Sequence, residues 1–374
     1  MPTLPQDHRV AVIAGARPNF MKIAPLMRAM ERRAVPSVLV HTGQHYDREM
    51  SDIFFDELDI PRPDVSLEIG SNSHGRQTGA IMAAFEDFAD RERPSWVVVV
   101  GDVNSTIACA LVAAKMGIKV CHVEAGLRSH DWSMPEEINR VLTDRLSDLL
   151  LTHSPGAEEN LLREGIAADR IVYVGNVMID TLFHLLPRAK SSPILSRLDV
   201  SPHCYALCTV HRPSNVDTPE SLANIVQIIE AASSNLTVVF PIHPRTRGRL
   251  AHFGMLSRLE ENDQVRMTDP LGYIDCLALS SQSRVVLTDS GGLQEETTAL
   301  GVPCLTLREN TERPVTVSHG SNQIVGTELG RVVAALEQVL QCPQQNRTAS
   351  RRPEFWDGKA AERSVDALLR AMKS

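Results

Sequence analysis

Acidic residues stand directly after apolar runs at two places in this chain. Val97-Val98-Val99-Val100 leads into Gly101-Asp102, and Cys121-His122-Val123 leads into Glu124-Ala125-Gly126-Leu127-Arg128. A third acidic pair, Glu136-Glu137, follows Pro135, with Arg140 on the next helical turn. Carboxylates in a partly desolvated cleft can be tuned to exchange protons near neutral pH, which is what removing or returning hydrogen at a sugar carbon requires. Singly, each has a plain structural explanation, Asp102 as a helix cap and Glu136 as a first-turn acid. Three together at strand ends favour chemistry.

The cations and glycines are arranged for an anion. Gly15-Ala16-Arg17-Pro18-Asn19-Phe20-Met21-Lys22 sets a turn, an Arg and a Lys where a helix should begin, so free backbone N–H groups and cationic side chains converge. Its spacing is neither that of a Walker P-loop nor a complete G-x-G-x-x-G fingerprint. Thr209-Val210-His211-Arg212-Pro213 and Pro241-Ile242-His243-Pro244-Arg245 each bring a His and an Arg to a strand end. In Leu287-Thr288-Asp289-Ser290-Gly291-Gly292-Leu293-Gln294-Glu295-Glu296 a strand ends, two glycines admit a ligand to the backbone, and a helix starts with its positive pole toward that ligand. Phosphate is the natural guest. Glu296 is then placed to accept hydrogen bonds from ribose hydroxyls, and Arg308 and Arg313 to balance a diphosphate. His41 and His45 are spaced like helical metal ligands, but no third ligand accompanies them and Gly43 between them suggests a loop, so no metal site is read.

These positions need a scaffold that ends many strands on one rim. Short runs rich in Val, Ile and Leu at 10–14, 37–41, 96–100, 119–123, 149–153 and 171–174 alternate with helical patterns, and a second series follows at 205–210, 237–242, 264–267, 284–288 and 303–307. Continuous apolar strands suit parallel sheets covered on both faces. Two such series imply an α/β chain of two Rossmann-like, doubly wound domains, joined through 176–202, with ligands beyond the carboxyl ends of the strands. Residues 360–372 read as a terminal amphipathic helix.

At 374 residues with 43% apolar and 22% charged residues, the chain is large enough for two cored domains and unlike a disordered or coiled-coil sequence. Acidic residues outnumber basic ones 46 to 38, which argues against nucleic acid as a partner and requires any polyanionic ligand to meet local cations. No apolar run is long enough to span a membrane and residues 1–10 lack signal-peptide features, so the expected compartment is cytoplasmic. The seven cysteines are scattered without C-x-x-C spacing and read as small core residues.

The motifs at 15–22, 41–45, 101–102, 122–128, 135–140, 175–176, 211–212, 289–296 and 311–314 together resemble the non-hydrolysing UDP-N-acetylglucosamine 2-epimerase family, in family order and over nearly the whole chain. The resemblance implies the glycosyltransferase-B architecture, two domains facing across a cleft, with an N-terminal domain at 1–174, a UDP-binding domain at 175–359 and the helix 360–374 returning to the first. It implies reversible conversion of UDP-GlcNAc to UDP-ManNAc through elimination of UDP and a bound 2-acetamidoglucal, without cofactor or metal. By the same resemblance Asp102, Glu124, Glu136 and His211 are catalytic; Arg17, Lys22, Ser290, Gly291, Gly292, Glu296 and Arg313 bind the nucleotide sugar; Gln44 and His45 keep part of an allosteric sugar site; and the enzyme is a homodimer. Cys276 stands where many relatives carry an aromatic residue near the uracil. Alternatives are an epimerase of a modified UDP sugar such as UDP-2,3-diacetamido-2,3-dideoxyglucuronate, a hydrolysing epimerase, a retaining glycosyltransferase on the same scaffold, and a binding regulator without chemistry.

Overall fold

The computed structural model describes residues 9–43, 60–342 and 352–373, and of Arg17 and Pro18 the backbone alone. The strands form two parallel sheets. The first, in the order β3-β2-β1-β4-β5-β6-β7, uses Val10–Ala14 (β1), Ser37–His41 (β2), Val65–Ser66 (β3), Trp96–Val100 (β4), Lys119–Ala125 (β5), Leu149–Thr152 (β6) and Ile171–Tyr173 (β7). The second, in the order β10-β9-β8-β11-β12-β13, uses Tyr205–Thr209 (β8), Thr237–Pro241 (β9), Val265–Thr268 (β10), Val285–Thr288 (β11), Cys304–Thr306 (β12) and Asn322–Ile324 (β13).

Strand order reverses between β1 and β4 in one sheet and between β8 and β11 in the other. Loops diverge at such a point and leave room for a ligand. Of the residues singled out for anion binding, those at 15–22, 211–212 and 289–296 follow β1, β8 and β11, His243 and Arg245 follow β9, Arg308 and Arg313 follow β12, and Asp102 follows β4. Every residue of β1 and β4 is buried, as a strand covered on both faces requires. Two edge strands escape the sequence reading. Val65–Ser66 has two residues and Asn322–Ile324 is mostly polar, so neither carries an apolar run.

The chain forms two compact units, Met1–His184 with Glu354–Ser374, and Leu185–Pro353. These limits fall later in the linker and earlier near the end than the expected 174/175 and 359/360, for a local reason. The first half of helix Val177–Lys190 is fastened within the first unit: Thr181 donates to Met21 O at 2.5 Å, and Asp180 accepts from the N–H groups of Ala360 at 3.0 Å and Ala361 at 2.7 Å. Asp180 thereby caps helix Ala360–Ala371. Just before it, Trp356 is fully buried and donates its indole N–H to His153 O at 2.9 Å. Gly175 has φ +90°, and a Cβ there would fall 2.1 Å from Phe355 O, so only glycine lets the returning segment lie against the linker.

Trp356→Ala is expected to destabilise the protein by about 3–5 kcal/mol, measured by urea unfolding. A loss below about 1 kcal/mol would show that the returning segment does not complete a core.

Candidate active site

In the first unit the turn after β1 is held by one side chain. Asn19 accepts from the N–H groups of Gly15 at 3.3 Å and Ala16 at 3.0 Å, and donates to Val100 O at 2.9 Å, tying the start of helix Arg17–Arg32 to the end of β4. One turn on, Lys22 is buried and its ammonium is paired with the Glu124 carboxylate. Gly101, with φ +68°, leaves room for that pair: a Cβ there would stand 3.4 Å from Lys22 Nζ and 4.0 Å from Glu124 Oε2.

Glu124 is itself unusual. It adopts φ +72°, and the β5–β6 register shifts between Val123 and Ala125, on either side of it. A bulge re-aims a side chain out of the regular alternation, and a non-glycine residue with positive φ costs on the order of 1–3 kcal/mol. Surrounding contacts must over-determine it. A desolvated carboxylate held against an ammonium in a strained backbone is a candidate proton-handling group.

Asp102 follows Gly101 and is gripped from helix Pro135–Leu146. Arg140 donates Nη2 to Asp102 Oδ2 at 2.5 Å and Nη1 to Glu137 Oε2 at 3.1 Å, and Asn139 donates to Asp102 O at 2.9 Å. Glu137 is buried. Burial pushes its carboxyl up, but the amides of Ser129 and His130, the Ser129 hydroxyl and Arg140 outweigh this and hold it below the ordinary value. Of the adjacent acids, Glu137 is thus structural. Glu136 is half-buried in the first helical turn, with no ion pair or side-chain hydrogen bond among the described residues.

In the second unit Asp289 is fully buried at the end of β11 and collects donors from the loop after β8: the N–H groups of His211 at 3.0 Å and Arg212 at 2.8 Å, and Asn215 Nδ2 at 3.0 Å. His211 Nδ1 lies 3.1 Å from Asp289 Oδ1. Burial raises the Asp289 carboxyl, yet His211 and these amides bring it below its ordinary value. His211 is therefore oriented by a carboxylate on one ring nitrogen, while its side chain stays 38% exposed.

Beside it, Ser290 is the N-cap of helix Gly291–Leu300. Gly291 keeps the helix start accessible to a cation: a Cβ there would lie 2.5 Å from Arg313 Nη1. Arg313 pairs with Glu295 at 3.1 Å. Arg308, expected to balance a diphosphate, instead forks onto Glu312 at 3.0 and 2.8 Å. Against the burial that would raise it, Arg308 and Arg313 draw the Glu312 carboxyl down to about 2. Glu296 is buried, and burial pushes it up to about 7 although Tyr273 donates a hydrogen bond to it at 3.1 Å.

Lys22, Asp102 and Glu124 thus share one rim of the first unit, and His211, Ser290, Gly291 and Arg313 one rim of the second. The Arg17 side chain, Gln44 and His45 lie outside the described residues. Three buried groups that hold these rims were missed by sequence reasoning: His122, Asp144 and Tyr273. Asp289, quoted as part of its motif, was not read as the anchor of His211, although its place between an apolar run and the glycine turn was the available signal.

A family model described as UDP-N-acetylglucosamine 2-epimerase matches residues 28–369. The chain is 43% identical to the UDP-N-acetylglucosamine 2-epimerase of Methanocaldococcus jannaschii, covering 96% of this chain and 98% of that one. It is 42% identical to the UDP-2,3-diacetamido-2,3-dideoxy-D-glucuronate 2-epimerase of Pseudomonas aeruginosa, covering 89% of this chain and 92% of the other. Among solved structures it is similar to the M. jannaschii enzyme in complex with UDP-GlcNAc and UDP, with a TM-score of 0.86 at 42% identity over 97% of this chain and 99% of that one. The Neisseria meningitidis UDP-GlcNAc 2-epimerase bound to UDP-GlcNAc gives 0.85 at 31% identity over 97% of this chain and 100% of that one.

The raised Glu296 carboxyl has a consequence for stability. Its folded value, about 7, lies above the ordinary 4.5, so its neutral form is the one the fold tolerates. Stability from this group is fully present below the unfolded value and is lost as pH rises through the folded one, a swing of about 3 kcal/mol. The stability difference between the ligand-free wild type and Glu296→Gln should therefore fall between about pH 4.5 and 7 and level off above, measured by urea unfolding across that range.

Proposed function

We propose that this chain, which belongs to the UDP-N-acetylglucosamine 2-epimerase family, interconverts UDP-N-acetylglucosamine and UDP-N-acetylmannosamine by inverting C2 of the sugar. The observation that carries this reading is Glu124: a carboxylate whose side chain is only 9% exposed, at a register shift in β5, strained, and paired with Lys22 over Gly101. A fold bears such strain where a reacting group must be placed.

The C2 hydrogen of an acetamido sugar is weakly acidic, so proton removal alone is a poor start. Departure of the nucleotide must carry much of the barrier. As the C1–O bond breaks, its electron pair leaves with UDP, a carboxylate of the first unit takes the C2 proton, and the C2–H electrons form the C1=C2 bond of 2-acetamidoglucal. UDP then re-forms the bond to C1 while a proton is delivered to the opposite face of C2. The roles divide accordingly. Asp102, Glu124 and Glu136 manage the proton and the sugar; His211, steadied by Asp289, neutralises developing charge on the diphosphate; Arg17, Lys22, Ser290, Gly291, Gly292 and Arg313 hold the phosphates, and Glu296 the ribose. The backbone amides at the start of helix Gly291–Leu300 supply fixed positive dipole where charge accumulates.

A second reading is turnover of a modified sugar, favoured by similarity to the Pseudomonas aeruginosa epimerase, which acts on UDP-2,3-diacetamido-2,3-dideoxy-D-glucuronate. Both readings share C2 chemistry and differ in the substituents at C3 and C6. Parallel kcat/KM measurements on the two sugars separate them.

Incubation of UDP-GlcNAc with the enzyme in deuterated buffer should yield UDP-ManNAc carrying deuterium at C2, seen by NMR. A product keeping its original hydrogen would overturn the elimination route. Glu124→Gln should lower kcat by roughly 10²- to 10⁴-fold, the ordinary contribution of a positioned acid or base.

A further inference from the structure

One buried cluster in the first unit lies outside the catalytic set yet touches each first-unit segment that carries one of its carboxylates. His122, in the middle of β5, is fully buried and donates Nε2–H to Gly101 O at 2.8 Å. Its Nδ1 lies 2.7 Å from Asp144 Oδ1, and Asp144 is also fully buried. The second oxygen of Asp144 accepts from Gly126 N at 3.1 Å and pairs with Arg128 Nη1 at 2.7 Å. Arg128 is braced in turn by both oxygens of Glu164, each at 2.7 Å. The acids and cations facing the couple are thus Arg128 and, behind it, Glu164.

We propose that His122 and Asp144 are positioning residues for the C2 chemistry, an inference that rests on the epimerase reading and names how its acids are held in register. Gly101 precedes Asp102, Gly126 follows Glu124 by two residues, and Asp144 sits on the helix that also carries Glu136 and Arg140. One imidazole–carboxylate couple therefore sets the spacing of three strand-end and helical segments. Packing alone does not call for it. His122 lies between buried Cys121 and Val123, where an aliphatic side chain would fill β5 without desolvating an ionisable group. Replacing buried ionic groups by apolar ones is often neutral or stabilising, so what this couple supplies is geometry. Without the His122 bond, the Gly101 carbonyl loses its tether, and the place of Asp102 is set only by Arg140, Asn139 and the bond of Gly101 N to Val123 O.

Two substitutions separate geometry from bulk. The amide nitrogen of a glutamine reaches where His Nε2 stands, whereas that of an asparagine reaches only the Nδ1 position. His122→Gln thus keeps a donor for Gly101 O, and His122→Asn removes it. The measurement is C2 deuterium incorporation kinetics with UDP-GlcNAc, together with thermal melting and UDP binding. His122→Asn is expected to lose roughly a hundredfold in kcat, the scale of an ångström-sized misplacement, with KM within about threefold. His122→Gln should recover at least about tenfold of that loss. The proposal is overturned if folded His122→Asn keeps a kcat near wild type, if both folded variants lose kcat equally, or if neither folds. Should His122→Asn alone fail to fold, a folded His122→Gln within about tenfold of wild type supports the proposal and a deeper loss overturns it. Wild-type enzyme that incorporates no deuterium would sink the epimerase reading itself, a result distinct from variants that match an active wild type.

Discussion

A carboxylate without access to water must collect hydrogen-bond donors or cations, and four buried acids of this protein draw some of theirs from main-chain amides at the ends of strands and helices. Asp289 takes the amides of His211 and Arg212, Glu137 those of Ser129 and His130, Asp144 that of Gly126, and Asp180 those of Ala360 and Ala361. Asp289, Glu137 and Asp144 thereby fix loops at strand ends, and Asp180 fixes the start of a helix. The sheets determine where the loops begin; these acids determine where their side chains point. An amide lost from such a cluster leaves a buried charge short of a partner, which costs more than an ordinary hydrogen bond.

The two units use this device for different ends. In the first, Glu137 is spent on the backbone while Glu136, its neighbour, is half-buried without such partners among the described residues, and Arg140 bridges Glu137 to Asp102. In the second, Asp289 is engaged by His211 and Arg212, and the groups at the start of helix Gly291–Leu300 are amide dipoles and the Arg313 cation. The half that would handle protons is rich in acids; the half that would hold a diphosphate presents amide hydrogens.

Much of the scaffold is legible in the sequence because a parallel strand buried on both faces has to be continuously apolar. β1, β2 and β4 fall at the limits read from their Val- and Ile-rich runs, whereas Val65–Ser66 and Asn322–Ile324, at sheet edges, carry no such run. Asp102, Glu124, His211 and the Ser290 turn are visible for a related reason: polar residues that abruptly end an apolar run mark the rim. Asp144 is invisible, since a polar residue amid Leu142-Thr143-Asp144-Arg145 looks solvated until the fold turns that helical face onto β5. His122 was hidden by the opposite effect, a single polar residue inside an apolar run whose partner lies 22 positions away. The linker boundary was displaced because Thr181 and Asp180 fasten to Met21 and to the amides of Ala360 and Ala361, contacts that local composition does not encode.

The route of the chain through its units constrains the order of assembly. Trp356 and helix Ala360–Ala371 belong to the first unit but follow the whole of Leu185–Pro353 in the chain. On the ribosome, where domains close as their residues emerge, the later unit has its full complement of strands before the earlier one receives the indole and helix that seal it. The earlier unit must wait, with the surface beneath Trp356 still uncovered, until the other has been synthesised.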